Sequence, residues 1–206
     1  MSKTIKCYFW NPELDLEDKL DFNYQDIGHG IELKKPVLTT DILEKIIIDL
    51  KQKRKDHLLN MGIANIIDTI DKVTDQWMNP DYKRRKFALD VLPKVTGFSV
   101  QMLETLGFGH MLKLLKKENI PITGKLQHKN FTEFAEHGDG LVKAYGEVQV
   151  THSNYEPEII GHICAGNILG LAAIEMVIDK LVDAATWVKV STEEPVFGAL
   201  YAKSIE

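Results

Sequence analysis

The stretch EPEIIGHICAGNILGLAAIEMVIDKLVDAATWVKVSTEEPVFGALYAKSIE (156–206) decides the fold, because strand and helix patterns alternate along it. Ile159-Ile160-Gly161-His162-Ile163-Cys164 is a short, β-branched-rich apolar run between Pro157 and the turn Ala165-Gly166-Asn167. It reads as a buried strand that ends in a tight turn. Residues 169–181 then carry apolar side chains at 171, 174, 177, 178 and 181, which is one face of a helix. Residues 186–190 form a second strand candidate ending in Ser191-Thr192-Glu193-Glu194-Pro195, before another apolar-periodic run over 196–205. The order strand, helix, strand, helix makes adjacent parallel strands, and ligands of open α/β sheets sit beyond the carboxyl ends of such strands. The two turns after the strands are therefore the candidate site.

Each turn offers a polar group. Asn167 brings an amide able to donate to a developing oxyanion. Lys189 brings a cation at the end of the second strand, and the hydroxyls of Ser191 and Thr192 with the helix N-terminus behind them favour anions. An Asn in such a turn is also an ordinary turn former, and a strand-end Lys is commonly just solvated.

The segment CAGNILGLAAIEMVIDKLVDAATWVKVSTEEPVFGALYAKSI resembles the first βαβα unit of the aldehyde dehydrogenase superfamily, and more closely the LuxC-type acyl-CoA reductases. The shared pattern is an apolar strand, a small residue, Gly-Asn, a Gly-containing apolar helix, and a strand ending in Lys before a Ser-containing acidic turn with Pro. The resemblance implies an α/β fold in which an N-terminal helical layer leads into a truncated Rossmann-like nucleotide-binding domain. It implies that Asn167 helps bind the oxyanion of the thiohemiacetal and that Lys189, with Ser191 and Glu193, holds the cofactor, NADPH or alternatively NADH. Many aldehyde dehydrogenases carry an acidic ribose partner three residues after the Lys. That place is Thr192 here, with Glu193 and Glu194 following, so the ribose partner and the choice between NAD and NADP stay open. The implied activity is reduction of an acyl-CoA or acyl-protein thioester to an aldehyde through an acyl-cysteine, and the resemblance is close over about the last quarter of the chain. In the resembled families that cysteine follows the nucleotide-binding domain. The 206 residues alone are thus expected to be inactive and to bind nucleotide weakly or not at all. An open sheet cut after two strands is expected to leave an unpaired edge and an uncovered apolar face, inviting a homo-oligomer or another partner.

The chain has 206 residues, 44% hydrophobic and 27% charged, enough for a sizeable core. A net charge of −5 argues against nucleic acid as a partner, and the basic clusters at 51–55 and 83–86 read as solvated helix faces. No stretch approaches the ~18 continuous apolar residues of a membrane span, and the first ten residues lack a signal-peptide order, so the expected location is cytoplasmic. Cys7 and Cys164 are far apart and read as unactivated thiols without a disulfide. The seven histidines show no metal-ligand spacing, so no metal is expected.

Residues 1–153 are expected to be a mostly helical region with a few strands, and 154–206 the start of the nucleotide-binding domain. Residues 3–10 are β-prone, and 13–35 form an acidic segment turning at Gly28-His29-Gly30. Apolar stripes predict helices over 42–50 (capped by Asp41, with Glu44), from 56 or 62 to 78, over 81–92 (ended by Pro93), and over 100–115 (capped by Ser99, broken at Gly107-Phe108-Gly109). His128, His137 and Asp139 lie in a polar passage and read as loop residues, followed by a strand or hairpin over 141–152. A different class of reading is a non-catalytic helical scaffold with an α/β cap, and a third is an aldehyde dehydrogenase relative acting on a free aldehyde. The reductase reading requires Asn167 and Lys189 at adjacent strand ends. The scaffold reading lets them point apart.

Overall fold

Three short strands start the chain in the computed structural model, which describes residues 2–120 and 157–206. They are β1 (Lys3–Lys6), β2 (Phe22–Asp26) and β3 (Ile31–Pro36), in the order β1-β3-β2, with β1 parallel and β2 antiparallel to β3. The strand expected over 3–10 is therefore shorter, and the acidic segment holds two strands that its sequence did not announce. β2 is almost wholly exposed, and its alternation, Phe22 and Tyr24 on one face against Asn23 and Gln25 on the other, is too short to stand out in an acidic segment. Gly28, His29 and Gly30 all take positive φ and join β2 to β3, and the Asp26 carboxylate accepts the Gly28 N–H at 2.8 Å.

Helix α1 (Thr40–Lys53) is capped by Thr39, whose hydroxyl accepts the Ile42 N–H, and not by Asp41. The next turns widen over Arg54–Leu58, a single turn α2 (Leu59–Met61) follows, and Gly62 at φ 75° breaks the path before α3 (Ile63–Met78). Helix α4 (Lys83–Thr96) runs through Pro93, which was expected to end it. Pro93 sits in the last turn, where it removes one N–H, while its carbonyl still accepts the N–H of the left-handed Gly97 at 3.0 Å. Helix α5 (Val100–Met102) is capped by Ser99 as expected. It continues without a break as wide π-helical turns over Leu103–Met111 and a tight turn over Leu112–Leu115. The wide turns seat Gly107 against Leu169: a Cβ at Gly107 would lie 2.3 Å from the Leu169 side chain. Gly107 is there for a close approach and does not break the helix.

The C-terminal unit has the expected order, β4 (Ile159–Ile163), α6 (Leu171–Leu181), β5 (Ala185–Lys189) and α7 (Phe197–Ile205). β4 and β5 are parallel, Ile159 facing Ala185 and Ile163 facing Lys189. One apolar core joins this unit to the helices before it. Trp77 on α3 is 0% exposed, lies 5.1 Å edge-on to Phe197 and 5.7 Å from Phe108, and donates its indole N–H to Ser204 at 3.0 Å. The face of β5 that carries Trp187 is covered by Leu16 and by Ile42 and Ile46 of α1, which corrects the expectation of an uncovered sheet face. Lys51 pairs with Glu158 at 2.8 Å and the Arg54 guanidinium donates to the Asp183 carbonyl, tying the α1 end to the unit. At the tip of the sheet Ile163 is 81% exposed and Ile168, in the turn behind it, 44%, and among the described residues β4 and β5 pair only with each other. Residues 154–156, the strand expected over 141–152, and His128, His137 and Asp139 lie outside the described residues. No described helix is long and apolar enough to cross a membrane.

Candidate functional site

The strand ends and the two turns behind them meet in one place. Lys189 closes β5 opposite Ile163, and the Cys164 N–H donates to the Lys189 carbonyl at 3.0 Å, so the ladder runs one residue into the first turn. Paired residues of parallel strands share a face, which puts Ile163 and Lys189 on the same side of the sheet. The next link is Gly166. A Cβ there would lie 2.5 Å from the Ser191 hydroxyl, 2.7 Å from Glu193 Cβ and 3.0 Å from the Glu193 carboxylate. A side chain at Gly166 would force the Ser191 and Glu193 side chains out of their present places.

Four residues read from the sequence are brought together in this way. Asn167 and Lys189 are exposed, and neither side chain has a hydrogen-bond or ion-pair partner among the described residues. Ser191 is half-buried and accepts the Glu193 N–H at 3.1 Å, while the exposed Glu193 turns its carboxylate toward Gly166. A cation and an amide without partners among the described residues, with a hydroxyl, offer donors for the phosphate and ribose oxygens of a dinucleotide, and the Glu193 carboxylate offers an acceptor for its ribose hydroxyls. The residues present therefore suit such a cofactor.

The helix N-terminus expected to favour a ligand anion is not open. Glu194, 6% exposed, accepts the Val196 and Phe197 N–H groups at 3.1 and 2.7 Å and fills the start of α7 with the chain's own carboxylate. Burial outweighs these two bonds and pushes its carboxyl up to about 7 from 4.5. With the folded value above the unfolded one, the protonated form favours the fold, so this stabilisation is complete below pH 4.5 and is lost as pH rises through 7. Glu194→Gln should thus abolish about 1 kcal/mol of the stability that the wild type loses between pH 6 and 8, measured as urea midpoints at the two pH values. His162 titrates with the same sign, so some slope remains.

His162 and its partners were not picked out from the sequence. The ring lies between β4 and α6, Nε2 2.8 Å from the fully buried Asp179 and Nδ1 3.5 Å from Glu175. The hydrogen bond to Asp179, opposed by burial, raises its pKa. A histidine in an apolar strand, with two acids four apart on the following helix, was the available signal. This network fastens β4 to α6, and its Glu175 acts electrostatically on the Cys164 thiol at the start of the first turn. For Glu194 the signal was an acid and a proline just ahead of an apolar helix.

Burial raises both thiols, Cys7 up to about 12, so neither is held as a thiolate at neutral pH. Both are unpaired, and no group of three potential metal ligands occurs among the described residues.

No curated protein and no solved structure matches the chain. The family described as acyl-CoA reductase (LuxC) matches residues 58–206. The match takes in the helices from α2 onward, well beyond the last quarter on which the sequence resemblance rests. The chain belongs to the LuxC acyl-CoA reductase family.

Proposed function

We propose that these residues form the N-terminal portion of an acyl-CoA reductase that reduces a fatty acyl thioester, carried on coenzyme A or on a protein, to an aldehyde. The nucleotide-binding part begins near residue 154. Bound NADPH, or alternatively NADH, supplies the hydride. The nucleophilic cysteine lies beyond Glu206, so the acyl group moves from the thioester to a thiolate outside these residues, and the 206 residues alone are inactive. Asn167 donates to the oxygen of the tetrahedral adduct. Lys189 takes the negative or polar end of the nucleotide, with Ser191 and Glu193 beside it. The protein works in the cytoplasm, and a second copy or another partner covers the bare tip at Ile163.

The observation that carries this reading is the contact of Gly166 with Ser191 and Glu193 at the end of two paired parallel strands. A scaffold has no need for unpaired Asn167 and Lys189 at the meeting of two turns. Lys189→Ala in the full-length protein should raise the NADPH dissociation constant about ten-fold, the loss of one charge-assisted bond. Nucleotide fluorescence measures it, and an unchanged constant would remove Lys189 from the site.

A further inference from the structure

We propose that Glu194 is a positioning residue of the nucleotide site: its buried carboxylate takes the place of a ligand phosphate on the α7 N-terminus and holds the Ser191–Glu193 turn against Gly166. The inference rests on the reading of the two turns as that site. Residues 190–196 must leave β5, present Ser191 and Glu193 to Gly166, and enter α7 at Phe197. Glu194 folds back onto its own helix, and both amide partners of its Oε1 lie within three residues. With residue 194 anchored inward, residues 191–193 are left to project over the first turn. The start of the connection is fixed as well, since a Cβ on Gly198 would lie 2.9 Å from the Val190 side chain.

The surroundings show what this carboxylate is for. Glu194 makes no ion pair among the described residues, and the titratable neighbours whose electrostatics it enters are the thiols of Cys7 and Cys164, with Lys35 acting on Cys7. A buried carboxylate without a cation lowers stability, so its two backbone bonds are the arrangement it serves. There is also a consequence for the ligand. In many dinucleotide sites a helix N-terminus receives phosphate. Here the Val196 and Phe197 amides at the start of α7 are already taken by Glu194, which leaves Lys189 to meet the ligand's negative charge.

The test uses the full-length protein with Glu194→Ala, Glu194→Gln and Lys189→Ala, with NADPH as the probe. Glu194→Ala should raise the NADPH dissociation constant about ten-fold while kcat at saturating nucleotide stays within about two-fold, because the turn is displaced and no group touching the thioester is lost. Sodium formate, a free carboxylate, should restore affinity in Glu194→Ala and leave wild type unchanged. Glu194→Gln keeps the acceptor oxygen and should stay within about three-fold of wild type. An unchanged constant in Glu194→Ala overturns the proposal. So does a Glu194→Gln variant that loses as much as Glu194→Ala with no rescue by formate, since burial alone would then be its role. Amide hydrogen exchange at Val196 and Phe197 reports the cap without nucleotide: it should quicken in Glu194→Ala and slow again with formate. If Lys189→Ala has no effect while exchange behaves as stated, the nucleotide reading fails and the cap stands.

Discussion

Trp77→Ala is expected to lower the stability of the folded chain by about 4 kcal/mol, a fall of roughly 10 °C in melting temperature for a chain of this size. The indole is fully buried and touches aromatic rings from three directions, Tyr82 at 5.5 Å, Phe108 at 5.7 Å and Phe197 at 5.1 Å. Truncation leaves a ring-sized cavity and also removes the Nε1 donor to Ser204. The effect should reach the candidate site as well, because Phe197 is both a wall of that cavity and a residue whose N–H is held by Glu194. Urea unfolding followed by circular dichroism checks the magnitude. A loss below about 1 kcal/mol would show that the helices from α3 onward and the C-terminal unit do not share one core.

Asn167→Ala should cut turnover on an acyl thioester about a hundred-fold in the full-length protein, close to 2.7 kcal/mol of transition-state stabilisation, the scale of one lost oxyanion donor. Nucleotide affinity should be nearly intact, since Gly166 and the β4–β5 ladder position the turn without the Asn167 side chain. That split between kcat and nucleotide binding separates Asn167 from Lys189, whose loss acts on affinity. Steady-state kinetics at saturating NADPH decide it, and unchanged turnover takes Asn167 out of the mechanism.

The C-terminal unit was legible because its signals are local. A β-branched run stops at Ala165-Gly166, and apolar residues then recur every three or four positions through Leu181. The meeting of the two turns followed from the same pattern, since consecutive strands of a βαβ unit pair side by side. What escaped reading depends on partners far along the chain. Gly107 looked like a helix breaker because Leu169, the side chain it makes room for, is sixty-two positions away. β2 was hidden by its exposure, and Pro93 misled because α4 runs only three residues past it, to Thr96, before the left-handed Gly97. Glu194 looked like one more acid in a polar turn, and only packing revealed it as a buried cap.

Backbone amide exchange of the full-length protein, with and without NADPH, tests the central claim most directly. The account predicts slowed exchange concentrated at residues 164–167 and 189–193, the two turns that meet at Gly166. Protection elsewhere, with both turns exchanging as fast as in the free protein, would contradict it.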